Sequence, residues 1–213
     1  MTNVFREFEQ VCIRNWQDQD VAEYAHLVGD PAVMRYIGNG DVRDYTAAVC
    51  EVERFQEEIA RQGWSRWAVS IGGDGPLIGY AGFSEKPYGI DFGMRFHRDY
   101  WGDPSTYISC CLALEYGFEE AGLKQICTIT DVKHERGLSF MKKLFSSDPV
   151  ETSLACGQFK MYTVAKEQYL ENDKENNRAR MRLKAGLGLR ESVGTEATWS
   201  ISIPRPGNIQ MGW

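Results

Sequence analysis

The chain is short of positive charge. Its 24 Lys and Arg against 30 Asp and Glu leave a formal net charge of −6. A general nucleic-acid or anionic-membrane binder needs the opposite balance, so neither partner class is expected. Long apolar runs are also missing: none approaches the roughly 18 residues that a membrane helix needs. The opening MTNVFREFEQ carries Arg6, Glu7 and Glu9 where a signal peptide would have an apolar core. The six cysteines, at 12, 50, 110, 111, 127 and 156, form no CxxC and no metal-like spacing with the three histidines. That pattern excludes a disulfide framework and a metal site as expectations, and it fits a reducing, cytoplasmic setting.

What is present is an ordinary globular composition, 43% hydrophobic, 25% charged and 12% aromatic over 213 residues. This is enough for one good-sized core, or one domain with an appendage. VCIRNW (11–16) reads as an opening strand. Asp18 or Asp20 is then expected to cap a helix carrying Val21, Tyr24, Ala25 and Val28, with Gly29-Asp30-Pro31 as its stop. Tyr45, Ala48, Val49, Val52, Phe55 and Ile59 recur at helical spacing, and Gly63 closes that helix.

The period then shortens. WAVSI (67–71) and LIGYAGF (77–83) flank the glycine-rich turn GGDGP. IDFGMRF (90–96) alternates, with Ile90, Phe92, Met94 and Phe96 on one face and Asp91, Gly93 and Arg95 on the other. Three strands joined by short turns predict an antiparallel meander. A helix over about 104–121 follows, its apolar stripe including Tyr107, Cys110, Cys111, Leu114 and Phe118. The adjacent cysteines lie on that stripe, where packing explains them better than a reactive thiolate. A strand at 125–132, a helix through Leu138, Met141, Leu144 and Phe145, and a strand at 159–164 complete the run, with 150–157 a weaker strand. Residues 172–213 read as an extension: a basic helix stopping at Gly186 or Gly188, then an alternating strand at 197–203. The predicted class is α+β, a mostly antiparallel twisted sheet flanked by helices.

The order of elements, with DPAVMRYIG (30–38), WAVSIGGDGPLIGYAGF (67–83), IDFGMRFHRDYWG (90–102), ALEYGFEEAGLKQICTITDV (113–132) and FMKKL (140–144), resembles the GNAT N-acetyltransferase superfamily. The likeness is to the branch related to ribosomal-protein N-terminal acetyltransferases, and it spans about residues 9–172. It implies a domain over 1–171, with 172–213 packed on it or on a partner. It also implies acetyl-CoA as acyl donor, and a small-molecule amine or a protein N-terminal amine as acceptor, with a homodimer left open. The amine attacks the thioester directly in a ternary complex, so the chemistry asks for a base, for donors to the thioester oxygen, and for a proton for the leaving thiolate.

Carried onto this chain, the resemblance implies Asp91 as base, the alternative being a strand aspartate paired with a cation such as Arg95 on the same face. Backbone amides around Met94, Arg95 and Phe96 would hold the pantetheine arm and thioester. His134, where the family tends to have Asn, is the candidate acid or pantetheine contact, the alternative being a surface histidine. The family's aromatic-Trp-Gly-Lys-Gly-Tyr-Ala string cradles the pyrophosphate at a helix N-terminus. Here YWG is followed by Asp103, Pro104, Ser105, Thr106 and Tyr107. Trp101, Gly102 and the amides and hydroxyls of Ser105, Thr106 and Tyr107 remain the candidate phosphate contacts. Against them, Asp103 puts a negative charge beside an anion, and Pro104 has no N–H. Asp at the N-cap and Pro at N1 also make a good helix start without any ligand. Two functions stay open on these residues: an acetyltransferase, or a catalytically degenerate module of the same fold that binds or assembles. GGDG (72–75) is a hairpin turn and not a nucleotide loop, because a strand follows it.

Overall fold

A computed structural model describes residues 4–154 and 157–186. Within them, eight strands form one sheet: β1 (Val4–Phe8), β2 (Val11–Arg14), β3 (Arg66–Ile71), β4 (Leu77–Lys86), β5 (Gly89–Phe96), β6 (Gln125–Asp131), β7 (Val150–Leu154) and β8 (Gly157–Ala165). Their order across the sheet is β1-β2-β3-β4-β5-β6-β8-β7. Every neighbouring pair is antiparallel except β5 and β6, which run parallel and share the single register pair Asp91↔Cys127. The expected α+β class and the β3–β4–β5 meander are observed. The edge strand β1 was not foreseen, because VFREF is short and Arg6 and Glu7 hide its alternation.

The helices are α1 (Asp20–Val28), α2 (Pro31–Met34), α3 (Tyr45–Gln62), α4 (Pro104–Glu119), α5 (Glu135–Phe145), α6 (Lys166–Gln168) and α7 (Lys174–Gly186), with a π turn, Tyr169–Asp173, joining the last two. Asp44 caps α3 through the amide of Ala47, and Gly63 ends it at φ 82°. Asp30 does not simply stop α1: its side chain accepts from Ala32 N and so starts the short α2. Asp20 is not a cap either. It is buried, with its carboxylate 2.7 and 2.9 Å from the Arg14 guanidinium, and Ser70 Oγ takes a further Arg14 hydrogen bond. A buried guanidinium needs that carboxylate more than a helix end does, since an uncompensated charge there is costly.

The sheet separates two apolar clusters. One, under α4, contains Trp67, Phe83, Phe92, Phe96, Ile108, Leu114, Phe118 and Phe145. The other, under α1 and α3, contains Trp16, Tyr24, Leu27, Val52, Phe55 and Tyr80. The alternation of β5 is therefore real: Phe92 and Phe96 face α4, while Asp91, Gly93 and Arg95 face α1 and α3. Helix α4 is buried on nearly every side, because the sheet, including its edge strand β1, packs against it and so does α7. Its buried Glu115 is held by Arg6 and Arg178, each at 2.8 Å. Residues 187–213, which include the expected strand at 197–203, lie outside the described residues.

Candidate active site

β5 and β6 are joined at one register pair, beyond which the register records no further partner between them, so their C-terminal halves part like the arms of a V. Asp91 stands at the vertex, on the α1 and α3 side. Its carboxyl accepts from the Tyr88 phenol and the Ile129 amide, and Arg66 Nη2 lies 3.8 Å away. Burial outweighs these partners and raises the Asp91 pKa to about 6. The group is thus mostly ionised at neutral pH and near enough to neutrality to exchange a proton. Burial also pushes the thiol of Cys127, across the vertex, up to about 11. That thiol stays protonated and offers no nucleophile. Burial pushes Cys110 and Cys111 up as well, in keeping with their packing role.

Arg66 comes from the start of β3 and reaches Asp91 across β4. It pairs in register with Gly82, which pairs with Gly93, so two residues without side chains lie in its path. A Cβ on Gly93 would stand 2.8 Å from Arg66 Nη2. The guanidinium lies over Tyr80 and Phe55, with centroid distances of 5.4 and 5.8 Å, and donates to Ser84 Oγ at 3.2 Å. Neither Arg66 nor Tyr88 was singled out from the sequence. The glycines facing each other on successive strands were the available signal for Arg66. Nothing local marked Tyr88, whose meeting with Asp91 depends on the β4–β5 turn.

The other candidate residues fall into groups. Phe96 is buried in the α4-side core, and Met94 packs against it. The Arg95 side chain turns the other way, donating to Tyr24 Oη at 3.2 Å and lying 3.5 Å from Glu51. Only the Arg95 backbone is therefore available to the V. Arg95 and Asp91 do share a face, as the alternation predicts, but the cation paired with Asp91 is Arg66. At the mouth of the V, Trp101 donates to Phe96 O at 2.9 Å and carries Arg136 over its ring at 5.3 Å. Gly102 takes φ 87°, which glycine adopts without penalty. The His134 ring stacks on Tyr36 at 4.4 Å and 11°. A Cβ on Gly137 would sit 2.4 Å from that ring, so a glycine at this position is what admits the histidine. Burial and then Arg136 lower the His134 pKa.

The start of α4 is committed to its own structure. Asp103 Oδ1 accepts from Ser105 N at 2.9 Å and from Ser105 Oγ at 2.6 Å. Thr106 N bonds Asp103 O at 3.3 Å, Thr106 Oγ1 bonds Tyr100 O at 2.7 Å, and Tyr107 Oη bonds Asn177 Oδ1 at 2.7 Å. The hydroxyls of Ser105, Thr106 and Tyr107 and the first two amides of this helix are thus all donating within the chain. Among the described residues no group of three or more potential ligands stands ready for a metal ion. No described helix is long and apolar enough to cross a membrane.

The family model for the acetyltransferase (GNAT) domain matches residues 10–144. Solved structures share the fold at low identity. The GNAT-family acetyltransferase from Bacillus anthracis is 18% identical, with a TM-score of 0.65, covering 78% of this chain and 99% of that one. Mycobacterium smegmatis RimJ in complex with CoA-disulfide is 13% identical, with a TM-score of 0.65 and coverage of 87% and 92%. Vibrio cholerae spermidine N-acetyltransferase in complex with CoA and spermine is 16% identical, with a TM-score of 0.62 and coverage of 77% and 100%.

Proposed function

The chain belongs to the acetyltransferase (GNAT) family, and from that premise we propose that it moves an acetyl group from acetyl-CoA to a primary amine by direct attack. The observation that carries this reading is Asp91, a buried carboxyl with a pKa near 6 at the point where β5 and β6 part. The opening between the two strands fits an extended pantetheine arm, because the parting strands leave backbone free to pair with it. The helix start beyond fits the pyrophosphate poorly, since its first amides and hydroxyls are in use.

Acetyl-CoA, when bound, supplies the thioester carbonyl that the amine attacks. The chain supplies the rest. Ionised Asp91 takes the proton from the incoming ammonium, directly or through one water, and the Tyr88 phenol and Ile129 amide hold the carboxyl in place meanwhile. Backbone around Met94, Arg95 and Phe96 lines one side of the opening and is the part of the chain positioned to donate to the thioester oxygen. His134 is held neutral and stacked on Tyr36. A neutral imidazole is a weak proton source, so in this reading His134 closes the mouth of the V and the thiolate takes its proton from water or from the departing ammonium proton.

The acceptor class is a small amine or a protein N-terminal amine. The Vibrio cholerae relative, a spermidine N-acetyltransferase, supports the first. One observation favours a second reading, a module of this fold without turnover: the occupied helix start, which weakens a phosphate cradle. Incubation with acetyl-CoA and a panel of polyamines and peptide N-termini, read by mass spectrometry, separates the two. The first reading predicts acetylated product that depends on Asp91. Absence of product, together with absence of CoA binding at about 1 mM, where binding would be worth only about 4 kcal/mol, contradicts it.

A further inference from the structure

We propose that the phosphates of the CoA-type donor are held by two cations of α7, Arg180 and Lys184, in place of the amides of the β5–α4 loop. The inference rests on the donor assigned above. It begins from the mismatch at α4, where Pro104 has no N–H and Asp103 both occupies the Ser105 amide and adds a negative charge. A dianionic group arriving there would have to break the cap and then face the carboxylate.

Helix α7 divides its cations between two faces. Lys174 pairs with Glu119, and Arg178 pairs with Glu115 at 2.8 Å, which pins the helix to the C-terminal half of α4. Asn177, Arg180 and Lys184 stand at i, i+3 and i+7, a shared face. Asn177 accepts from Tyr107 Oη at 2.7 Å and donates to Leu144 O at 3.4 Å, so this face lies between the first turn of α4 and the end of α5. Arg180 Nη1 donates to Lys143 O at 2.6 Å, and Lys184 Nζ lies 5.4 Å from the centre of the Tyr107 ring. No described carboxylate lies within salt-bridge distance of Arg180 or Lys184. Two cations outside any salt bridge, with Asp173 the carboxylate in electrostatic reach of Arg180, therefore stand on the face turned to the first turn of α4, where the family's own lysine is replaced by Asp103. Arg180 offers further N–H donors in a fork that matches phosphate oxygens, and Lys184 adds a point charge. Helix α7 lies outside residues 10–144, so the device belongs to this chain's extension and not to the matched domain.

The test is calorimetric titration of the full chain with CoA, with dephospho-CoA and with S-acetylpantetheine, each at two salt concentrations. The doubly substituted Arg180→Gln, Lys184→Gln chain should bind CoA about 10- to 100-fold more weakly, as expected for the loss of charge-assisted contacts. Its salt dependence should flatten, while S-acetylpantetheine, which has no phosphate, should bind as it does to the parent. Arg182→Gln, which removes a cation of α7 that lies beside Arg6, Glu7 and Glu115 instead, serves as the control and should leave CoA affinity unchanged. Melting curves guard against misfolding of the double variant, and an unaltered affinity for S-acetylpantetheine shows its V intact. If the parent binds CoA and the double variant binds it equally well, the assignment to α7 is overturned while the acetyl-transfer reading stands. If the parent binds neither CoA nor S-acetylpantetheine, both are overturned.

Discussion

In the proposed reading, Asp91 has to do two things that conflict. A base must be ionised, yet burial favours the neutral acid, and the folded pKa rises from its ordinary 3.8 to about 6. The sign follows: below pH 3.8 the carboxyl is protonated in both states and costs nothing. As pH rises through 6 the unfolded chain has already released its proton, and folding must hold an unfavourable buried charge. The upper limit of that cost is on the order of 3 kcal/mol at neutral pH. Asp91→Asn should therefore raise the melting temperature at pH 7.5 and leave it nearly unchanged at pH 4, a difference readable by calorimetry across pH. Equal shifts at both pH values would contradict the raised pKa. The alternation of IDFGMRF was enough to put Asp91 on the right face. Its partners were not legible, because Tyr88 and the Ile129 amide reach it only through a turn and a parallel crossing, which no local pattern encodes.

At the scale of the element, α4 shows a helix start whose cap is completed within the chain. Asp103 and Pro104 read correctly from the sequence as cap and first residue, and the structure adds where the neighbouring hydroxyls go. Their inward bonding was not legible: a Ser or Thr after such a cap can serve a ligand or the chain, and only the approach of Tyr100 and α7 decides between them. Asp103→Lys should cost about 1 kcal/mol of stability through loss of the cap, measured by urea unfolding. It should leave CoA affinity within about twofold if the phosphates sit on α7, because a cation restored to the loop then meets no phosphate; a tenfold gain would return them to the loop. The apolar stripe read along α4 was too narrow. Packing of α7 in addition to the sheet makes more of this helix interior, and a helix-period pattern cannot report a second covering element.

Across the whole molecule, the sheet separates an apolar core under α4 from a face under α1 and α3 that also carries the polar groups Tyr24, Glu51, Arg66, Asp91 and Arg95. Most of this was legible as a family order of elements, since each strand and helix announces its period and the order is specific even where single motifs are altered. What the order could not show was the role of the extension, because its packing on α4 depends on Asn177, Met181 and Arg178 finding partners far away in sequence. In the proposed reading, a donor arm entering where β5 and β6 part and an amine entering over the polar face meet at Asp91. The pH profile of kcat/KM for acetyl transfer, taken on the parent and on Asp91→Asn, tests that meeting most directly. The parent should lose activity below an inflection near pH 6, and the variant should be slower by about 100-fold or more, with that inflection gone. An Asp91→Asn chain that keeps both the rate and the inflection would contradict the account.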